Sequence, residues 1–380
     1  MATSQIGEVF QVATNKALTE TGGGHGQKGV DFQRAWALSR MFEIEDGGAA
    51  DFLFLFEAIQ DVAVLDSPTN PTSIQIYQVK KKDRNEWEWS DLTDLQDPTK
   101  NHKKPKDPSA ISSSPIGKLY SSVIAFKGLQ SSGGFVSNAG ANLPLANGGN
   151  ASTSVSCDLS QLSSKHLDLL EKGLKTLHDS DQGVPSPSLI SIQKVSLPPA
   201  DPSTHLNGLA VAFLNKRSAR HAGQAKALVD ALLAEIGPLG SKTDSCASFE
   251  ELRQQRGYAR SDFIDALGAL EAVPDMQALL DAWLAKLEKE GGIDFMLATS
   301  TRVAGGRIFT RNLMGGEDPE VTALIADCDS WIDANPPGSD LSPYFQEARA
   351  HLEPLHPSFK SAEFIAHFML RAIKKCVDLI

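Results

Sequence analysis

Basic residues are scarce in this 380-residue chain: 36 Lys and Arg stand against 47 Asp and Glu, a formal net charge of −11. Neither half of the chain is basic, so a protein that coats nucleic acid through its overall charge is excluded, and any phosphate contact has to be local. Long apolar runs are missing too. No window approaches the roughly 18 consecutive apolar residues that a membrane helix needs. The opening MATSQIGEVFQVATNK has neither the basic start nor the continuous apolar centre of a signal peptide, and the expectation is a soluble, cytoplasmic protein. The four cysteines (Cys157, Cys246, Cys328 and Cys376) are far apart and form no C-x-x-C pair, which argues against zinc and against a disulfide framework. No Ser-His-Asp or Cys-His arrangement stands out. The glycine-rich TGGGHGQKG (21–29) lacks the Ser or Thr that a phosphate-binding GxxxxGK[ST] loop needs after its lysine, and His25 within it reads as solvent-exposed.

What is present suits a packed enzyme. Hydrophobic residues make up 41% of the chain, enough for an ordinary core, and the length suits two domains. After the glycine-rich loop, Phe32, Ala35, Trp36, Leu38, Met41 and Phe42 recur at helical spacing. DFLFLFEAIQDVAVLD (51–66) reads as one long buried strand or two, closed by the turn residues SPTNPT, and SIQIYQVKKK (73–82) reads as the next strand. Residues 83–114 read as a long polar loop or lid, 114–130 as a helix, GGFVSN (133–138) as a short strand and 138–152 as a flexible stretch. A helix at about 161–178 and strands at LISIQKVSL (189–197) and LAVAFLN (209–215) close a first domain, 1–216. Residues 217–380 read as a mostly α-helical second domain. A capping box opens one helix at Ser248 and Glu251, and TSTRVAGGRIFTRN (299–312), with Arg302, Arg307 and Arg311, reads as a solvated loop. In the last helix Phe364, Ile365, Phe368, Met369, Ile373, Cys376, Val377 and Ile380 fall on one stripe that its own domain or another subunit must cover. We read at least part of that stripe as used between subunits, making the protein a homo-oligomer.

Chemistry concentrates on the strand pair. Side chains two or four apart on a strand share a face, so Glu57 and Asp61 point the same way if their strand is unbroken, as do Gln78 and Lys80 on the next. A hairpin between them gathers carboxylates, an amide oxygen and an ammonium on one surface. Phosphodiester hydrolysis uses that mixture. A hard cation, Mg²⁺ or Mn²⁺, takes oxygen ligands and lowers the pKa of a bound water, while a lysine offsets charge on the transition state. The expected metal ligands are Asp61, Glu57, Gln78 and the Val79 carbonyl, with Asp61, Gln78, Lys80 and Glu57 as the catalytic set. Lys28, Lys81, Lys82, Lys103 and Lys104 are the expected contacts to DNA phosphates.

Asp61 followed seventeen positions later by Gln78-Val79-Lys80 resembles the D…(D/E/Q)-x-K signature of the PD-(D/E)xK nucleases. The wider pattern of Lys28-Gly29, Phe32-Gln33, Phe56-Glu57, Asp61-Val62, a Lys118–Leu129 helix and Phe135-Val136-Ser137-Asn138 resembles one branch, the double-stranded DNA endonuclease domain of CBASS antiphage effectors. That domain also occurs beside HerA-type hexameric ATPases. The likeness spans roughly residues 20–215. It implies a restriction-endonuclease-like core, a mixed sheet flanked by helices, and a Mg²⁺-dependent endonuclease acting on double-stranded DNA. Two positions depart from the family: Gln78 stands where an acidic residue is usual, and Lys28 stands for the usual arginine. The helical second half does not resemble the α/β nucleotide-sensing SAVED module, which favours the form partnered by a HerA-type ATPase. Two other readings stay open from the sequence: a catalytically inactive adaptor that binds DNA or a partner, and a nuclease gated by a nucleotide signal on its helical half.

Overall fold

The computed structural model describes residues 4–15, 17–18, 27–101, 104, 106–179, 183–240, 246–272, 275–314, 318–338 and 340–378. Lys103, His25 and Ile380 lie outside them, as do the side chains of Lys28 and Arg311. The chain forms two compact units: Met1–Leu209 with Val229–Ala266, and Ala210–Leu228 with Leu267–Ile380. A single border at residue 216 therefore does not describe it, because the chain returns to the first unit after leaving it.

The first unit begins with α1 (Gln5–Ala13) and α2 (Gln27–Asp46). Three strands follow: β1 (Leu53–Phe56), β2 (Val62–Leu65) and β3 (Ser73–Lys80), each antiparallel to the one before it. The polar stretch expected to be a lid is partly built. It carries β4 (Trp87–Glu88) and α3 (Trp89–Thr93), and Trp89, Leu92, Leu95 and Ile111 are buried, so apolar side chains dock much of it against the core. Next come α4 (Pro115–Ile124) and β5 (Gln130–Ser137), a strand longer than the six residues expected. The stretch expected to be flexible holds β6 (Ala141–Asn142), paired with β4, and buries Ala141, Leu143 and Leu145. Then follow β7 (Ser156–Asp158), α5 (Ser164–Lys175) and β8 (Ile190–Lys194).

Residues 209–215, expected as a strand, lie in a helix instead, α6 (Pro202–Arg217). Its buried Leu206, Ala210, Phe213 and Leu214 keep helical spacing, and the Asp201 carboxylate accepts from the Thr204 amide at its start. After α7 (Ala225–Ile236) and α8 (Phe249–Arg256), β9 (Gly257–Ala259) pairs antiparallel with β1. Ser248 caps α8 through the Glu251 amide, as expected. The sheet order is β7-β8-β5-β3-β2-β1-β9, mixed, with β3, β5 and β8 parallel. Helices flank it. Ile74 and Ile76 of β3 share a core with Leu119 and Val123 of α4, while Tyr77, of the other parity, meets Trp36 of α2.

After α9 (Arg260–Ala272) the chain is helical: α10 (Met276–Lys289), α11 (Phe295–Met314), α12 (Pro319–Ala334), α13 (Leu341–Leu352) and α14 (Ser361–Asp378). The expected loop around Arg302 and Arg307 is part of α11. Gly305 permits it, since a Cβ there would come within 2.5 Å of Leu280 on α10, and Arg302 pairs with Glu288 at 2.7 Å. Five residues of the stripe on α14 are closed within this unit: Phe364, Ile365, Phe368, Met369 and Ile373 sit in one core with Leu284, Leu324 and Phe345. Used up there, those five side chains give no support to an interface between subunits. Among the described residues no helix is long and apolar enough to cross a membrane.

Candidate active site

Of the two readings left open for this stretch, one long strand or two, the structure has two, and the chain reverses between Glu57 and Asp61. Glu57 and Gln60 have φ of 51° and 56°, in the left-handed region that costs a residue with a Cβ about 1–2 kcal/mol. The shared-face placement of Glu57 and Asp61 on one strand is therefore corrected. Glu57 lies in a turn, tied to Asp61 through its amide, which donates to the Asp61 carbonyl at 3.0 Å. Buried contacts hold the turn. Ala58 and Ile59 enter the core, Gln60 Nε2 donates to Ser122 Oγ on α4 at 2.9 Å, and Arg256 Nη1 donates to the Glu57 carbonyl.

The ladder between β2 and β3 ends at the pair Val62 and Tyr77, and beyond it the strands part. Asp61 and Gln78 are the next residues on the two strands past that last pair. Asp61 then takes the place of the missing strand: its Oδ2 accepts from the Val79 amide at 2.6 Å. The carboxylate is 1% exposed and lies 3.4 Å from Lys80 Nζ. Burying that charge is costly without a partner, and the amide and the ammonium supply the compensation. The Val79 carbonyl, also released from the ladder, lies 3.4 Å from Nε2 of the buried Gln33 on α2. Gln78 is 1% exposed, and its Oε1 is buried with no hydrogen-bond partner. A buried amide oxygen without a donor is expensive, and a hydrogen-bond donor, a water or a cation would each satisfy it.

The structure thus gathers Asp61, Gln78, Val79 and Lys80, and it adds Gln33. Sequence reading noted Phe32-Gln33 only as part of a pattern. Its reach from one helix to the end of β3 has no local signature. Among the described residues, no group of three or more His, Cys, Asp or Glu is placed to hold a metal. The oxygen set of one buried carboxylate, one orphaned amide oxygen and a strand-end carbonyl nonetheless fits a hard cation that takes few protein ligands and completes its shell with water and phosphate.

The expected DNA contacts are mostly engaged within the unit. Lys81 pairs with Asp83 at 3.1 Å. Lys82 Nζ donates to Asp91 at 2.8 Å and lies 4.4 Å over the Trp87 ring, and its hydrogen bond holds the Asp91 carboxyl below the usual carboxylate range. The Lys82 backbone is held in both directions by the Asn138 side chain. Lys104 is exposed. A separate cavity of about 460 Å³ runs along α2 past Trp36, Arg40, Tyr77 and Gln193, and none of Asp61, Gln78 or Lys80 lines it.

A family model described as the Cap4 dsDNA endonuclease domain matches residues 21–238. The chain belongs to this family. Asp61, Gln78, Val79 and Lys80 all fall inside the match, and so does the sheet from β1 to β8, a restriction-endonuclease-like α/β fold. Arg256 and β9 fall outside it. No curated protein and no solved structure matches the chain. As a Cap4-type endonuclease domain, the first unit is a hydrolase acting on DNA.

Proposed function

We propose that the chain is an antiphage effector that cuts double-stranded DNA by metal-assisted hydrolysis at the Asp61–Lys80 site. The observation that carries this is the buried Asp61 carboxylate beside Lys80, where β2 parts from β3, within a domain of the dsDNA endonuclease family. Asp61, the Gln78 amide oxygen and the Val79 carbonyl would hold Mg²⁺ or Mn²⁺. The cation supplies Lewis-acid polarisation of the phosphate and a water acidified toward neutral pH. The remaining work belongs to the chain. Lys80, tethered to Asp61, places a fixed positive charge where the phosphorane develops negative charge. Gln33 orients the Val79 carbonyl, and the Val79 amide fixes which way the Asp61 carboxylate faces. Glu57 adds a carboxyl on the adjoining turn.

The finer reading, that the protein is an oligomer working with a HerA-type ATPase, draws its support from the wholly helical elements of residues 267–380, which carry no strand among the described residues. Co-purification with such an ATPase tests it. For the chemistry, the experiment is plasmid cleavage by wild type, Asp61→Asn and Lys80→Gln. EDTA should stop the wild type, and added Mg²⁺ should restore it. Full cleavage by either variant would sink the assignment.

A further inference from the structure

We propose that Arg256 and Gly240, both beyond the stretch that the family model matches, clamp the turn that presents Asp61, and that Arg256 is a positioning residue for strand cleavage. The inference rests on Asp61 being the carboxylate of the cleavage site. A turn with two non-glycine residues in the left-handed region does not hold itself; its surroundings must over-determine it. The Gln60 end is fixed by Ser122 of α4. The Glu57 end is fixed by the last part of the first unit. Pairing of β9 with β1 sets Gly257 opposite Leu55, which brings Arg256 to the end of that ladder, and its guanidinium donates to the Glu57 carbonyl.

Gly240 closes the other side. Its φ is +77°, and a Cβ on it would come within 2.9 Å of Glu57 Cβ and Cγ and 3.0 Å of the Phe56 carbonyl oxygen. The Gly240 amide also points to the Gln255 carbonyl at 3.4 Å, which ties the two jaws together. Because the Glu57 amide donates to the Asp61 carbonyl, a shift of Glu57 is passed to the main chain of Asp61. Arg256 acts on the site through Glu57. Its planar, fixed fork of donors is not reproduced by lysine.

The test uses the full chain with Arg256→Gln, Arg256→Lys, Gly240→Ala and Asp61→Asn. Misplacement of a reacting group by about 1 Å costs roughly 100-fold in rate. Arg256→Gln should therefore lose on the order of 10- to 100-fold in kcat, with KM for DNA nearly unchanged. Gly240→Ala should move in the same direction, and Arg256→Lys should fall between it and wild type. A second readout is hydrogen exchange at the Val79 amide, whose acceptor is Asp61. It should speed up in Arg256→Gln while peptides from α4 keep their protection. Wild-type kcat in Arg256→Gln and Gly240→Ala, beside an inactive Asp61→Asn, overturns the clamp alone. So does protection lost across the whole first unit with KM rising in step, which is the pattern of a merely structural residue. Cleavage by Asp61→Asn removes the underlying reading, and the clamp goes with it.

Discussion

Two turns flank β2, and they are made in opposite ways. The turn from Asp66 to Thr72 is largely exposed and mostly satisfies itself: the Asp66 carboxylate accepts from the amides of Thr72 and Ser73 at 2.8 and 3.1 Å, and Ser67 Oγ accepts from the Asn70 amide. The turn from Glu57 to Asp61 is largely buried and is held from afar, by partners 62 and 199 residues away in sequence. The first turn only closes a hairpin. The second holds a carboxylate at a strand end, where the ladder has released one amide and one carbonyl. If Asp61 carries the chemistry as proposed, its turn has a geometry that its own residues would not choose and that other parts of the fold impose.

One substitution made in both turns gives the largest contrast. Asp61→Asn should lower plasmid cleavage by at least roughly 100- to 1000-fold, the scale for removing one group that meets the transition state. Asp66→Asn should leave cleavage unchanged. A catalytic defect in the second, or none in the first, erases the distinction between the turns.

Stability gives the next effect. Gln60→Ala removes a buried hydrogen bond and leaves the Ser122 hydroxyl without it, at a cost of about 1–3 kcal/mol by chemical denaturation. Asp66→Ala, at an exposed site, should cost less than about 1 kcal/mol. Equal costs would mean that burial does not separate the turns.

The two turns also differ in how far the sequence declares them. SPTNPT is legible as a turn because its signals are local: a serine, an asparagine and two prolines that bond or stiffen their own neighbours. FEAIQD carries no such signal. Its apolar neighbours leave one strand or two open, and only the unbroken strand would put Glu57 on the same face as Asp61. That a hairpin would bring Asp61 near Gln78 and Lys80 was still legible, but the bond from the Val79 amide to Asp61 was not, since β2 is apolar and buried throughout and its pattern sets no register. Gln33 and Arg256 were not, since each acts across a fold that must form first. The strand expected at 209–215 failed for a related reason: LAVAFLN is apolar on every side, and neither period is visible inside it.

A smaller effect separates the turns by pH. Partial burial works against ionisation of Asp66, but the Thr72 hydroxyl and the amides of Ser73 and Thr72 outweigh it and hold the carboxyl below its ordinary value. A carboxyl lowered in the folded state contributes stability that is present above its unfolded pKa, near 4, and is lost as pH falls through the folded value. The stability difference between wild type and Asp66→Asn should therefore shrink only below about pH 4. A difference that persists unchanged to pH 2 would show that the carboxylate charge contributes nothing there.

The smallest effect is expected away from both turns. Lys104→Gln should weaken binding to all DNA sequences alike and make the salt dependence shallower, by roughly 0.9 in slope for a single phosphate no longer neutralised. A change in which sequence is cut, with the slope intact, would remove Lys104 from the groups that meet the DNA backbone.

The return of the chain to its first unit also sets an order of events in time. Arg256 is made 199 residues after Glu57, an interval of roughly 10–40 s at a ribosomal pace of 5–20 residues per second. Until then β1 has a bare outer edge, and nothing grips the turn before Asp61 from that side. The jaws close only once the chain has been made past Arg256. If Asp61 serves cleavage as proposed, translation withholds the last fastening of that site until Arg256 is made, and ribosome-bound chains halted near residue 240 should show the β1 edge open to hydrogen exchange.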